Sequence, residues 1–291
     1  MGCGFGDEFC GDGRQNNCNA KAECGKDGNV TSCPLGACCS KYGFCGTTED
    51  FCDSGCQNGC DAVVIPAGAL THINLAFIEF GDDWKLIDEY GDIVVRVSRL
   101  KATYAGLRVN VAIGAGYENR QTWIQSVISY LQKYGLDGID IDWEYPAASD
   151  RGGSADDTDN FVVLLAEMRE VFDAVSPGWE ITVTLPSSYW YLQNFSLQQM
   201  QKYVSWFNMM SYDLHGMWDQ DNKYTGSYLR GHTNLTEIDE GFNLLWRNNI
   251  DPKNVVMGMG FYGRSFTMSD ATCSTADCTF STAGYYTTQV S

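Results

Sequence analysis

The chain has 291 residues and a mass of 32.3 kDa, which is long enough for two domains with a substantial buried core. Its 19 Lys and Arg residues against 37 Asp and Glu residues give a formal net charge of −18. This charge repels phosphate backbones and anionic lipid surfaces, so nucleic acids and membranes are poor candidate partners. With 44% hydrophobic and 13% aromatic residues, the composition is that of a folded globular protein.

The cysteines divide the chain into a short part rich in disulfides and a long part. Eleven of the 13 Cys residues lie within residues 1–60, and only Cys273 and Cys278 follow. A segment this short does not bury enough apolar surface to fold without cross-links, and disulfides persist in oxidising compartments. We therefore expect a secreted protein, and the absence of a signal-peptide pattern predicts that the sequence is truncated. Cys273 and Cys278 are interpreted as a disulfide and not as metal ligands, because no clustered His accompanies them.

A partial repeat occupies the beginning of the chain. Residues 3–20 resemble residues 45–62 at a constant offset of 42, so that Cys3, Cys10 and Cys18 correspond to Cys45, Cys52 and Cys60. Arg14 stands where the complete copy has Cys56. The damaged copy accounts for the odd number of cysteines. We therefore predict that residues 1–23 are the remnant of a first cysteine-rich repeat.

The complete copy, residues 24–60, has a cysteine pattern that is specific to one family. Its eight Cys residues, at positions 24, 33, 38, 39, 45, 52, 56 and 60, allow 105 pairings. The motif CCSKYGFCGT and the spacing of all eight cysteines resemble the hevein-type chitin-binding domain. The resemblance implies the disulfides Cys24–Cys39, Cys33–Cys45, Cys38–Cys52 and Cys56–Cys60.

Three aromatic residues of this module, Tyr42, Phe44 and Phe51, are candidate sugar-binding residues. A small disulfide knot has almost no core, so we expect their rings to form an exposed apolar patch. Such rings stack on the apolar face of a sugar, and the Ser40 hydroxyl can meet its polar edge. The resemblance assigns these four residues to sugar contacts and implies chitin or N-acetylglucosamine oligomers as the ligand. The alternative, that the rings only fill the interior of a small fold, stays open.

Beyond residue 60, short apolar runs alternate with amphipathic stretches. The runs predict buried strands over 71–80, 107–114, 138–144, 181–186, 206–212 and 255–262. Residues 159–175 and 233–249 have helical spacing, and Thr236 or Asn234 is the candidate cap of the second helix. Alternation of this kind indicates a parallel sheet, either doubly wound or closed as a (β/α)₈ barrel. No Gly-x-Gly-x-x-Gly loop follows the first strand, which favours the barrel.

The candidate chemistry lies in the segment DGIDIDWEYP. Side chains alternate along a strand, so Asp140, Asp142 and Glu144 are predicted to share one face and to be neighbours at roughly 7 Å spacing. Three carboxylates in a dry interior repel one another, so at least one of them should hold a proton at neutral pH, as a general acid requires. The alternative is a solvated acidic edge strand, which the intervening Ile139 and Ile141 disfavour.

This segment resembles the D-x-x-D-x-D-x-E signature of glycoside hydrolase family 18, whose fold is a (β/α)₈ barrel and whose members include chitinases. The segments IPAGALTHINLAF, FNMMSYDLHGMWD, HTNLTEID and VVMGMGFYGRSF agree in order. Together with the hevein-like module, they resemble fungal class V chitinases of the killer-toxin-subunit type. The resemblance implies that residues 61–291 form the barrel and that the protein acts outside the cell or at the cell wall.

The resemblance also implies the roles of individual residues, without a metal or another cofactor. Glu144 would protonate the leaving oxygen and later activate water, while the acetamide of the substrate acts as the nucleophile. Asp142 would orient that acetamide, Asp140 would share a proton with Asp142, and Tyr212 would hydrogen-bond the acetamide carbonyl. The residues implied to contact further sugars are Asp213, Arg264 and Trp218.

The sequence departs from the family pattern at both ends of the barrel. Six strands are found where a complete barrel has eight, so we expect the first and the last strand to be absent. Three alternatives to an active chitinase therefore stay open: a non-catalytic chitin-binding lectin, a toxin-type subunit with a partner chain, and an inactive fragment.

Overall fold

The structure is a computed structural model that describes residues 21–31, 33, 37–46, 49–52, 55–58, 67–114 and 119–284. The chain divides into two compact units. The first comprises the residues up to Thr71 together with Ala102–Leu107, and the second comprises His72–Lys101 and the residues from Arg108 onward. The predicted repeat remnant lies outside the described residues except for its last three positions, so it stays a prediction.

In the first unit, disulfides provide the stabilisation that a hydrophobic core provides in a larger domain. Two antiparallel strands, β1 (Cys38–Cys39) and β2 (Cys45–Gly46), contact a single helical turn, α1 (Glu49–Cys52). The structure contains the disulfides Cys24–Cys39, Cys33–Cys45 and Cys38–Cys52. Cys56 is also disulfide-bonded, and Cys60, its expected partner, lies outside the described residues.

The second unit is built on a parallel sheet of six strands, which coincide within a few residues with the six predicted segments. The strands are β3 (His72–Ile78), β4 (Arg108–Gly114), β5 (Gly138–Asp142), β6 (Glu180–Pro186), β7 (Trp206–Met210) and β8 (Val255–Met257). Their order in the sheet is the order in the chain. Successive neighbours of this kind are typical of a (β/α) barrel, whereas the strand order of a doubly wound sheet reverses.

Helices connect the successive strands. They are α2 (Gly91–Ser98), α3 (Leu100–Thr103), α4 (Arg120–Tyr134), α5 (Asp157–Val175), α6 (Tyr189–Leu192), α7 (Leu197–Met200) and α8 (Leu235–Arg247). The two helices predicted from the sequence are therefore present as α5 and α8. Among the described helices, none combines the length and the apolar character needed to span a bilayer.

One face of the central strands forms the core of this unit. Their alternate residues are completely buried: Val109, Val111 and Ile113 on β4, Ile139 and Ile141 on β5, and Ile181, Val183 and Leu185 on β6. The parallel register places Val111, Ile139 and Ile181 in one row across the sheet. Trp143, two residues beyond Ile141, lies against Phe161 of α5 with ring centroids 5.1 Å apart. The apolar face is therefore the helix side of the sheet.

Strands β3 and β8 are the edges of the sheet that the described residues form. The predicted absence of a first and a last barrel strand concerns residues 61–70 and 273–291. The structure describes 67–70 and 273–284 of these, none of which joins the six-stranded sheet, and the others lie outside the described residues, so the absence stays a prediction. After β8, the hairpin β9 (Phe266–Met268) and β10 (Phe280–Ala283) encloses the disulfide Cys273–Cys278. This disulfide closes a small loop, as the sequence indicated.

The N-terminus of α8 yields a test of local stability. The Asn234 side chain accepts a hydrogen bond from the Thr236 backbone N–H at 2.9 Å, so Asn234 and not Thr236 is the cap. Because Ala leaves this N–H without its partner, Asn234→Ala should lower the free energy of unfolding by about 1 kcal/mol in urea denaturation. Asn234→Asp, which keeps the acceptor, should retain the stability of the unchanged chain. Equal stability of the two variants would contradict the capping role.

Candidate active site

Strand β5 separates its side chains into an apolar row and an acidic row. Ile139 and Ile141 are completely buried on the helix side. Asp140 and Asp142 alternate with them and hydrogen-bond to side chains of the neighbouring strands on the inner side of the sheet. Glu144 follows two residues beyond the end of the strand and lines the same pocket as Asp142. The structure thus brings the three predicted carboxylates together at the carboxyl end of the sheet.

Asp140 is the most deeply buried member of the row, with 5% of its surface exposed. Its Oδ1 atom accepts hydrogen bonds from the Thr182 hydroxyl of β6 and from Asn208 Nδ2 of β7 at 2.9 Å. Asn74 of β3 also hydrogen-bonds to this carboxyl group. Burial raises the pKa of Asp140 above its usual value, and these three hydrogen bonds only partly offset the effect.

Asp142 is half-buried and lies between the other two carboxyl groups. Burial raises the pKa of Asp142 to about 6, and the charges of Glu144 and Asp140 add to this effect. A hydrogen bond from the Thr184 hydroxyl at 2.7 Å acts in the opposite direction. Near pH 6, Asp142 is therefore divided between its neutral and its charged form, which allows the row to hold a proton.

Glu144 is exposed to solvent, in contrast to the dry surroundings expected for all three carboxylates. It borders a pocket of about 430 Å³ whose lining is Phe77, Ile78, Glu79, Phe80, Gly114, Asp142 and Glu144. Because Gly114 has no side chain, it leaves open space beside Asp142. The Tyr145 hydroxyl hydrogen-bonds to Glu144, and burial together with the Glu144 charge raises the pKa of Tyr145. Tyr145 therefore stays a hydrogen-bond donor to the candidate acid.

Tyr212 lies immediately beyond β7, in the loop that starts at the carboxyl end of the strand. Burial raises the pKa of Tyr212, and the charges of Asp142 and Glu144 raise it further. Its hydroxyl is therefore protonated and close enough to these carboxylates to be influenced by both. The position suits a donor of a hydrogen bond to a substrate carbonyl.

The residues expected to contact further sugars form one connected group. Arg264 Nε donates a hydrogen bond to Asp213 Oδ1 at 2.8 Å, and the Arg264 guanidinium lies 5.1 Å from the centre of the Trp218 ring. Burial alone would raise the pKa of Asp213, but hydrogen bonds from Arg264 and Tyr262 outweigh it and hold the pKa below its usual value. Half of the Trp218 surface is exposed, so part of its ring is accessible to a ligand.

Several residues of this site were not identified from the sequence. Thr182 and Thr184 alternate with buried Ile181 and Val183, and this period of two could have placed both hydroxyls on the inner face. Asn208 could not be assigned to Asp140 in the same way, because their contact depends on which strands are neighbours. Glu79 and Tyr145 lie beyond strand ends, where periodicity gives no direction.

In the small module, the predicted sugar-binding residues differ in exposure. Tyr42 is 49% exposed, whereas Phe44 and Phe51 are half-buried and Ser40 is buried. The Phe51 ring lies directly against Gly46, and Ser40 Oγ accepts a hydrogen bond from the Phe44 backbone N–H at 3.2 Å. Tyr42 is therefore the ring that most fully meets the expectation of an exposed face.

Only one group of possible metal ligands lies close together in the described part of the chain, and it consists of Cys24, Cys33 and Cys39. All three sulfur atoms belong to disulfides. Oxidised sulfur does not supply the thiolate that a metal requires.

Comparisons with known proteins agree with the fold and the module. Residues 47–290 match the family described as glycosyl hydrolases family 18, and residues 23–60 match the chitin recognition protein family. A probable chitinase of Penicillium expansum is 33% identical over 73% of this chain and 21% of its own length. The killer toxin subunits alpha/beta of Kluyveromyces lactis are 29% identical over 91% of this chain and 28% of their own length.

A crystal structure of Ostrinia furnacalis Group IV chitinase in complex with allosamidin has a TM-score of 0.65 and 25% identity. The similarity covers 76% of this chain and 66% of that chain. The chain thus spans between a fifth and somewhat more than a quarter of the length of these two curated relatives, and about two thirds of the solved structure. The family match includes most of the chain and both resemblances seen in the sequence are confirmed, so the chain belongs to the glycosyl hydrolases family 18 and has a module of the chitin recognition protein family at residues 23–60.

Proposed function

We propose that this chain hydrolyses the β-1,4 linkages of chitin, with retention of configuration. The observation that supports the proposal most directly is the row of Asp140, Asp142 and Glu144, which passes from a buried to an exposed carboxyl group at the edge of a pocket. Such a row can store a proton at its inner end and deliver one at its outer end. The relatives named as chitinases support the same reaction for this chain.

Glu144 is the proposed general acid. Its position at the pocket brings its carboxyl group to the ligand, and the Tyr145 hydroxyl orients it by a hydrogen bond. It donates a proton to the oxygen of the leaving sugar as the glycosidic bond breaks. In the second half of the reaction, the resulting carboxylate removes a proton from the attacking water.

Asp142 is the proposed partner of the substrate acetamide. Retaining glycosidases that rely on their substrate use the acetamide oxygen in place of an enzyme nucleophile, so the enzyme has to orient that group. At neutral pH only part of the Asp142 population is protonated, but the adjacent carboxyl groups can supply the proton. The Tyr212 hydroxyl, which faces the same carboxylates, completes the acetamide site by donating to its carbonyl oxygen.

The outer group provides binding beyond the reacting sugar. The pair Asp213 and Arg264 offers polar contacts, and the exposed face of Trp218 offers stacking. The small module holds the polymer near the pocket, because two linked sites on one polymer act through a high effective concentration. Its disulfides support secretion of the protein to the cell exterior or the cell wall, where chitin is found.

A second candidate function is that of a chitin-docking subunit of a toxin. It is favoured by the similarity to killer toxin subunits, which extends over 91% of this chain and therefore includes both units. Purification of the secreted chain under native conditions tests it. A second polypeptide in stoichiometric amount would support the toxin-subunit function, and a chain that is isolated alone and hydrolyses chitin would contradict it. A chain that binds chitin without hydrolysing it would support the lectin alternative.

Substitution of the proposed acid tests the reaction itself. Glu144→Gln keeps the shape of the side chain but has no proton to donate, so we expect kcat on chitin oligomers to fall about a thousandfold. Binding to chitin should persist, since the sugar contacts are retained. Release of reducing ends and a chitin pull-down measure the two properties.

Glu240→Gln is the matched control, because Glu240 is exposed on α8 and does not line the pocket. This variant should have the turnover of the unchanged chain. Turnover in Glu144→Gln at the level of Glu240→Gln would refute the assignment of the acid.

The raised pKa of Asp142 predicts a specific dependence of stability on pH. The folded chain holds the Asp142 proton up to about pH 6, whereas an unfolded chain releases it near 3.8, so folding loses stability as the pH rises between these values. The amide in Asp142→Asn does not titrate. We therefore expect the free energy of unfolding of Asp142→Asn, relative to the unchanged chain, to rise by about 2 kcal/mol from pH 4 to pH 7. Urea denaturation at several pH values measures it, and a constant difference would contradict the prediction.

The role of the acetamide predicts a requirement on the substrate. An oligomer whose sugar at the cleavage position has a free amine lacks the attacking oxygen and should not be cut at that position. Digestion of oligomers with glucosamine at defined positions, followed by mass spectrometry of the fragments, tests this. Fragments that end in glucosamine at the new reducing end would contradict substrate assistance.

A further inference from the structure

His215 lies buried between two carboxylates in the loop that follows β7. Its Nδ1 atom is 2.8 Å from Asp219 Oδ2 and its Nε2 atom is 2.9 Å from Glu237 Oε1. The side chains of His215 and Asp219 are only 5% and 4% exposed, and that of Glu237 is 36% exposed. The proposed mechanism does not use any of these three residues.

The two contacts fix the His215 ring. Each ring nitrogen lies within hydrogen-bond distance of a carboxylate oxygen, so the ring cannot turn or tilt without lengthening one of the two contacts. The other oxygen of Glu237 is buried and has no hydrogen-bond partner among the described residues, which makes His215 the principal stabilising contact of that carboxylate.

The three residues join separate elements. His215 is in the loop between β7 and the 3₁₀ helix Met217–Asp221, and Asp219 belongs to that helix. Glu237 belongs to the first turn of α8. The His215 ring therefore connects its loop to the 3₁₀ helix through Asp219 and to α8 through Glu237.

We call His215, Asp219 and Glu237 the clamp. A short series of contacts leads from the clamp to the residues proposed to bind further sugars. The Trp218 ring lies directly against Gly216, the residue after His215, and any side chain at position 216 would overlap the ring. The Arg264 guanidinium is 5.1 Å from the centre of that ring and also hydrogen-bonds to Asp213. The orientation of the Trp218 ring thus depends on the backbone that His215 holds.

We propose that His215 is a positioning residue that fixes the stacking face of Trp218, and with it the Asp213–Arg264 pair, for a sugar of the bound chain. The proposal rests on the proposed function, since it assumes that Trp218, Asp213 and Arg264 bind a sugar. A buried ion pair contributes little net stability, because the cost of removing the charges from water offsets their attraction. We therefore expect the main effect of these contacts to be a fixed loop geometry and not an increase in the stability of the fold.

Steady-state kinetics on chitin oligomers test the proposal through a double-mutant cycle. His215→Gln should raise KM about fivefold and change kcat less than twofold, and Trp218→Ala should do the same. Because both variants remove the same stacking contact, the double variant should lose little more than either single variant. If His215 only stabilised the fold, KM would stay unchanged or the two effects would multiply.

His72→Gln is the matched control for the loss of a His–carboxylate contact. His72 Nε2 lies 3.2 Å from Glu180 Oε1, and both residues are at the amino ends of their strands, whereas the pocket lies at the carboxyl ends. Its substitution should affect thermal stability without raising KM. Glu237→Gln is a second variant of the clamp, in case His215→Gln does not fold, and it should raise KM in the same direction. An unchanged KM in a folded Glu237→Gln variant would overturn the proposal.

An NMR measurement is independent of turnover, so it separates this proposal from the proposed function. The indole N–H signal of Trp218, assigned by its loss in Trp218→Ala, should shift or broaden in His215→Gln and stay in place in His72→Gln. An unchanged Trp218 signal in His215→Gln would overturn the proposal.

Discussion

The burial of the Asp140 carboxyl group is the constraint on which the rest of the site depends. A carboxyl group in the interior of a sheet is unfavourable unless polar partners surround it. Three other strands provide these partners: Thr182 on β6, Asn208 on β7 and Asn74 on β3. Polar residues thus occupy the inner face at the level of Asp140, while the outer face of the same strands is apolar. The inner face of this sheet is consequently organised around a buried carboxyl group.

The gradient of exposure along β5 gives each carboxyl group a different property. Asp140 is buried, Asp142 is half-buried with a pKa of about 6, and Glu144 is exposed at the pocket. Each negative charge disfavours the ionisation of the neighbouring carboxyl groups, so a proton bound to one of them lowers the electrostatic repulsion among all three. Backbone periodicity places Asp140 and Asp142 on one face of β5 in steps towards its carboxyl end, and the loop after β5 adds Glu144.

The sequence was sufficient for features that depend on the period of a single strand, and insufficient for contacts between strands. The alternation of Asp140 and Ile141 predicted which side chains face inward, and the six strands followed from their apolar runs. The contact of Asn208 with Asp140 joins residues 68 positions apart and requires the strand order, which no local pattern contains. The exposure of Glu144 was not predicted, because it lies beyond the strand and depends on the loop. The expectation that Asp213 and Arg264 contact sugar came only from the resemblance to a family, and their hydrogen bond to each other was not predicted.

The loops need a different means of fixation from the strands. A strand residue is held by backbone hydrogen bonds on both sides, whereas the loop after β7 has no such ladder and yet contains Tyr212, Asp213 and Trp218. In that loop, charged contacts replace the ladder: Arg264 holds Asp213, and His215 bonds to Asp219 and Glu237. Such contacts are directional, and removing their charged groups from water costs free energy. They therefore fix the conformation of the loop more than they stabilise the fold. A site that must meet several sugar rings at set spacings benefits from that definition, because each misplaced contact would weaken binding of the whole oligomer.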